Sequence, residues 1–186
     1  MNVRLIDKMG SDLSVVNAAR VSFAKEHKEL NGKTDERLIK YLAVHNHWSP
    51  FGHASLQFHI KAPVFVARQL VKHQVGLVWN EMSRRYVDDE VEFYEPDIWR
   101  GTAEDKKQGS SEESIDINPY NAMVNDYQQV LRSAKWTYEH LLRQGVCAEQ
   151  ARMCLPQSMM TEWYWSGTLF AFARVCNLRC APDTQK

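Results

Sequence analysis

Six arginines carry the strongest chemical signal in this chain. Arg68, Arg84, Arg85, Arg152, Arg174 and Arg179 recur in apolar or aromatic settings, such as Phe170-Ala171-Phe172-Ala173-Arg174 and Val175-Cys176-Asn177-Leu178-Arg179. A guanidinium is a rigid fork of donors that fits phosphate or carboxylate bidentately, so arginines set in semi-buried segments suit an anionic ligand. Ion pairing with Glu81, Glu149 and Glu162 is the plainer alternative. Ser83 adds a hydroxyl that suits a phosphate oxygen, and the set together reads as a nucleotide site. Neither GxGxxG nor GxxxxGK[ST] occurs, so no Rossmann or P-loop cradle is available. Arg68 and Lys72 are four apart, as are Gln69 and His73, and on a helix each pair would share a face. Two cations on one face repel unless an anion lies between them.

The histidines and cysteines say less. His45, His47, His53 and His59 fall within fifteen positions, which invites a zinc site and a metal-dependent nucleotide hydrolase. No HExxH and no Cys/His pair at finger spacing supports that, so solvated or hydrogen-bonding histidines and no metal are expected. Cys147, Cys154, Cys176 and Cys180 include no CxxC and form no disulfide framework. They read as buried thiols packing as small hydrophobes, in a reducing cytoplasm.

The elements that must position these groups follow from periodicity. Val3 to Ile6 reads as a short strand, and Ser11 can cap a helix through Arg20. A polar loop runs from Lys25 to Lys33, and Thr34 or Asp35 then opens a helix carrying Leu38, Ile39, Leu42 and Ala43. Ala54, Leu56, Phe58, Ile60 and Ala62 alternate strictly with Ser55, Gln57, His59 and Lys61, the period of a half-buried strand. Pro63 suits the first turn of a helix from Val64 to His73. Val78 to Tyr86 is dense in hydrogen-bonding groups without a clear period. Residues 100–117 are polar and read as a mobile surface loop. Asn118-Pro119 would cap a long amphipathic helix ending at Gly145. A short helix from Ala148 to Cys154, a strand from Met159 to Trp165, a turn at Gly167 and a last helix from Leu169 to Arg179 complete the chain.

The 186 residues suit one domain with a proper core. The 23 basic and 23 acidic residues cancel, which argues against a general nucleic-acid or membrane-surface binder. No apolar stretch approaches the roughly 18 residues of a spanning helix. The N-terminus meets a charge too early for a signal peptide.

The motifs form a known pattern. Lys72-His73-Gln74, eight residues, then Ser83, within Asn80-Glu81-Met82-Ser83-Arg84-Arg85-Tyr86, resembles the signature of the flavin-dependent thymidylate synthases. That family usually shows Arg-His-Arg, a short spacer and Ser. Ala18-Ala19-Arg20-Val21-Ser22, His47-Trp48-Ser49-Pro50-Phe51-Gly52-His53 and Lys61-Ala62-Pro63 through Ala67-Arg68-Gln69 resemble further family motifs. So do Glu149-Gln150-Ala151-Arg152 with Leu155-Pro156, and Asn177-Leu178-Arg179. Only the segment near 100–117 has no obvious counterpart.

The resemblance implies an α/β (α+β) fold: a small mixed or antiparallel sheet with flanking helices, one domain over 1–186, assembled as a homotetramer with active sites between subunits. It implies conversion of deoxyuridylate (dUMP) to thymidylate (dTMP) with a one-carbon unit from methylenetetrahydrofolate. Hydride comes from reduced FAD, which NADPH regenerates, and no cysteine attacks the pyrimidine. By resemblance Gln69, Leu70, Val71, Lys72, Glu81 and Met82 would surround dUMP, together with Ser83, Arg84, Arg85, Arg152 and Arg179. Arg179 would be catalytic, stabilising negative charge on the uracil. His47, Ser49, Lys72, His73 and Gln74 would lie along FAD, together with Glu81, Thr168, Leu169, Phe170 and Arg174. Lys72 and Gln74 stand where the family carries arginines, and Arg174 stands where a small amide is usual. A catalytically silent flavin- or nucleotide-binding relative is the alternative those departures raise.

Overall fold

The computed structural model describes residues 1–86, 90–103, 109–115 and 122–181. The chain begins with β1 (Asn2–Met9), α1 (Asp12–Arg20) and α2 (Gly32–Val44). Ser11 caps α1 in a capping box with Ser14, as its position before the helix predicts. β2 (Ser55–Pro63), α3 (Val64–Leu70) and β3 (Leu77–Glu81) follow. Then come β4 (Arg100–Thr102), β5 (Ser110–Ser114), α4 (Ala122–Arg143), α5 (Ala148–Ala151), β6 (Met160–Thr168) and α6 (Leu169–Arg179).

The organising element is β2, and it keeps the strict alternation of its sequence. Ile60 and Ala62 are buried, with Leu56 and Phe58 packed beside them against Trp163 and Trp165 of β6 and Phe172 and Val175 of α6. Phe58 and Trp165 both meet Phe172 edge-on, at 5.1 and 5.2 Å between centroids. Burying each such side chain stabilises by about 1.5–3 kcal/mol, which fixes α6 against the sheet. The sheet is antiparallel in the order β1-β2-β6-β3, giving a mixed α/β domain. Its other face is polar: His59 Nε2 lies 3.0 Å from Glu162 Oε2, and Lys61 pairs with Glu92 and Glu162. A second cluster, Val15, Leu42 and Ala54, joins α1 and α2 to the start of α6 through Leu169.

Several expectations change. The helix expected from Val64 to His73 stops at Leu70, and His73 N donates to Leu70 O in a tight turn. Arg68 and Lys72 therefore do not share a helix face, nor do Gln69 and His73. The chain reverses there because Gly76, at φ +76°, lets the turn close on α6 with only 3.1 Å between an added Cβ and Ala171 Cβ. That reversal brings β3, which the sequence did not reveal, alongside β6. Gly167 does not turn the chain; it sits inside β6 opposite Leu77. A Cβ there would lie 2.4 Å from Gly76 O, so glycine permits the close approach of the two strands. Within the stretch read as loop, β4 and β5 pair as a hairpin. The Asn118-Pro119 cap lies outside the described residues. Cys147, Cys176 and Cys180 are exposed rather than buried, and only Cys154 packs partly inside; all four are free thiols. Among the described residues, no helix is long and apolar enough to cross a membrane.

Candidate active site

α3 is short, but its faces and the turn after it feed three separate clefts. On one side, Arg68 from α3, Glu81 and Met82 from the end of β3, Arg84 from the following turn and Arg152 after α5 line a cleft of about 290 Å³. Three guanidiniums and one carboxylate thus meet there. Each is placed by its own local structure. Arg84 is buried and donates from Nη2 to Glu90 O at 3.4 Å, while Arg152 donates from Nε to Glu149 O at 3.2 Å. Glu81 accepts from Thr161 Oγ1 at 2.8 Å and from Trp79 Nε1 at 3.3 Å. Ser83 Oγ accepts from Arg85 Nε at 3.2 Å, which joins the serine of the signature to its neighbouring cation.

On another side, Gln69 and Leu70 of α3, Arg179 at the end of α6 and Ser110 of β5 line a cleft of about 500 Å³. Val71, predicted beside them, caps α3 and is half-buried. The third cleft holds Lys72, His73, Gln74 and Arg174 over an apolar floor that includes Leu77, Ala171 and Val175. Arg179 Nε donates to His73 Nε2 at 2.9 Å, so the second and third clefts share a wall. Burial, and then the charges of Arg179 and Arg174, hold the His73 imidazole below the usual histidine pKa.

The remaining flavin-side candidates flank that wall. Arg174 lies 5.9 Å over the Phe170 ring, and Trp48 packs against the same ring at 5.7 Å. This brings the His47–Ser49 turn to the start of α6, with His47 itself 5.9 Å from the Tyr41 ring. Two predicted residues serve the fold. Thr168 Oγ1 accepts from Ala171 N and caps α6, and Leu169 packs in the second core cluster. Among the described residues, no three His, Cys, Asp or Glu side chains gather as a metal site. His45 instead packs against the Tyr41 ring in a tilted pair at 4.3 Å, and His59 pairs with Glu162.

Two residues outside the sets implied by the resemblance stand out. Arg68 lines the cationic cleft and has no hydrogen-bond or ion-pair partner among the described residues. It is one of the six arginines whose setting suits an anion, but the expected helix face paired it with Lys72 rather than with Arg84 and Arg152. Thr161 is missed because it looks like any strand residue, yet it orients Glu81.

The family model for thymidylate synthase complementing protein matches residues 4–186. The chain belongs to this family. A flavin-dependent thymidylate synthase of Thermus thermophilus is 42% identical over 183 residues, covering 98% of this chain. The chain spans 65% of the length of that relative. One from Thermosipho africanus is 36% identical, with 98% of this chain and 78% of the relative covered. The crystal structure of a UMP/dUMP methylase PolB from Streptomyces cacaoi, bound with 5-Br dUMP, superposes with a TM-score of 0.82 at 33% identity. That match covers 96% of this chain and 77% of the other. Membership in the thymidylate synthase complementing family thus extends over the elements that line all three clefts.

Proposed function

We propose that this chain acts as a flavin-dependent thymidylate synthase, methylating dUMP to dTMP with methylenetetrahydrofolate as one-carbon donor. The observation that carries the reading is the convergence of Arg68, Arg84 and Arg152 on one cleft beside the Ser83–Arg85 pair. Charge-assisted bonds from such a set suit a nucleotide phosphate. The relatives' shared name and the dUMP analogue held by the structural neighbour support the same substrate.

The third cleft, about 110 Å³ within one chain, carries groups that suit one part of a flavin nucleotide. Lys72 and Arg174 offer cationic donors and Gln74 an amide, above an apolar floor, with the Trp48–Phe170 pair at its edge. Lys72, His73, Gln74 and Arg174 would hold FAD there, with His47, Ser49, Thr168 and Phe170 alongside. Held there in its reduced form, FAD would supply the hydride that completes the methyl group, with NADPH as its reductant. The chain's own residues bind, orient and polarise. Arg179 places its guanidinium at the uracil N3 edge and stabilises charge developing on the ring, so no covalent activation is required. Cys154 is unsuited to nucleophilic attack: burial pushes its thiol pKa up, and Sγ donates to Ala151 O.

Within one chain the proposed dUMP residues are spread over the three clefts, with Arg84 and Arg152 in the first, Gln69 and Arg179 in the second and Lys72 in the third. Such a split is what sites shared between copies produce, and it supports an assembly of copies; a homotetramer is the form the resemblance implies. The test is the visible absorption spectrum of the protein with FAD, before and after dUMP. A bound-flavin spectrum that shifts with dUMP, followed by dTMP formation on adding the folate and NADPH, supports the reading. A shift without turnover would indicate a silent relative, and no flavin binding would refute the flavin cleft.

A further inference from the structure

Arg179 is held from two directions. Its Nε donates to His73 Nε2 at 2.9 Å, and its Nη2 donates to the Gln69 carbonyl at 3.3 Å. Both bonds leave the Nε/Nη2 edge of the planar group and together fix its plane, and Nη1 is left to meet a ligand. A guanidinium that must meet the edge of a planar pyrimidine works best when that plane is set beforehand, since small misplacements at a reacting group are costly. The backbone of the turn is secured separately, by His73 N on Leu70 O and Leu77 N on Gln74 O. The imidazole is therefore not needed to form the turn that carries it.

We propose that His73 is a positioning residue: its neutral imidazole, accepting through Nε2, holds the Arg179 guanidinium in the orientation that meets the nucleotide ring. This rests on the synthase reading and goes beyond it. The role requires a proton on Nδ1 and none on Nε2. The charged groups facing His73 are Arg179 and Arg174 from α6 and Lys72 from its own turn, all cationic. No carboxylate lines this cleft among the described residues. That environment, with burial, favours the neutral ring. Protonation would set two donors against each other, and the contact would open. The clamp is thus closed at neutral pH and released in acid, below the usual histidine range.

Two variants of the whole chain test this. His73→Gln keeps an acceptor near the place of Nε2 at every pH, whereas His73→Phe keeps bulk and accepts nothing. dTMP formation is followed from about pH 5 to about pH 8, spanning the usual histidine titration, at saturating FAD, with flavin occupancy read from its absorption. His73→Phe should lower kcat roughly ten- to a hundredfold, the worth of a hydrogen bond to a charged group, with KM for dUMP little changed. His73→Gln should recover at least about tenfold of that loss and lack the acid limb of the wild type. A His73→Phe variant as fast as wild type, or an acid limb retained in His73→Gln, overturns the proposal. The contact is also read without flavin or substrate. Nitrogen NMR of labelled histidine should show the Nδ1–H tautomer, and the His73 pKa should rise in Arg179→Ala. A pKa indifferent to Arg179 overturns the proposal. A wild type that shows this signature but forms no dTMP refutes the synthase reading instead.

Discussion

Asp35 is the least exposed carboxylate described, and its removal gives a measurable outcome. Its side chain is 1% exposed and accepts from Arg20 Nη2 at 2.5 Å and from Asn31 N at 2.7 Å. Arg20 also meets His27 Nδ1 at 3.1 Å, and Asn17 exchanges two bonds with the His27 backbone. One carboxylate thus ties α1, the 25–31 loop and α2 together. Asp35→Asn keeps the shape but leaves the Arg20 cation, 14% exposed, without its counter-charge. Breaking a buried pair costs about 3–5 kcal/mol, and the partial exposure of Arg20 points to the lower end. For a chain of this length, about 3 kcal/mol corresponds to a fall in Tm of roughly 6–12 °C. The pH dependence has a definite sign. The hydrogen bond from Arg20, followed by that from Asn31, lowers the Asp35 pKa in the folded state. Its contribution is therefore complete above the ordinary carboxylate value of 3.8 and is lost as pH falls through the lower folded value. Thermal unfolding of both proteins at about pH 7 and about pH 3 should show a gap that narrows in acid. A Tm difference under about 2 °C at neutral pH, less than 1 kcal/mol, would refute the reasoning, as would a gap that does not narrow.

Three further outcomes follow from the clefts and the sheet. Gly167→Ala should destabilise by about 1–3 kcal/mol, because its Cβ meets the Gly76 carbonyl, which cannot swing aside, as well as the Leu77 side chain; urea unfolding measures this, and an unchanged midpoint would contradict it. Arg68→Ala should weaken dUMP binding by roughly tenfold or more, the worth of one charge-assisted bond, while the melting temperature stays put; calorimetry with dUMP reads the first and a thermal melt the second. Gln74→Arg should tighten FAD binding by adding a fork to a cleft that holds Lys72 and Arg174. Equal affinities in a flavin titration would show that Arg174 already supplies the charge.

The parts of the fold that were legible in the sequence are those whose two faces differ in chemistry. The alternation of β2 and the capped start of α1 are of this kind. β3 was hidden because Val78 is apolar on the exposed face, so Leu77, Val78 and Trp79 show no period of two. The end of α3 was hidden because its polar residues continue to His73 at helical spacing, while the reversal depends on Gly76 packing against a helix nearly a hundred positions later. The chemical types at the site could be read from the chain, but their partition into clefts could not. Arg68 and Gln69 are neighbours in sequence and line different clefts. Arg179 and His73 touch across 106 positions.

The seven residues of α3 work as a distributor. Successive side chains on an α-helix point about 100° apart, so three consecutive residues face three ways. Ala67 enters the core beneath the sheet, Arg68 the cationic cleft and Gln69 the cleft of Arg179. A single-residue insertion near Val64 would hand each place to the previous residue. Val66 would press into the core, Ala67 would face the anion, and Arg68 would bring a cation to Arg179. The helix is therefore an indexing device: it can exchange side chains one at a time, but it cannot change its length without reassigning all three destinations at once.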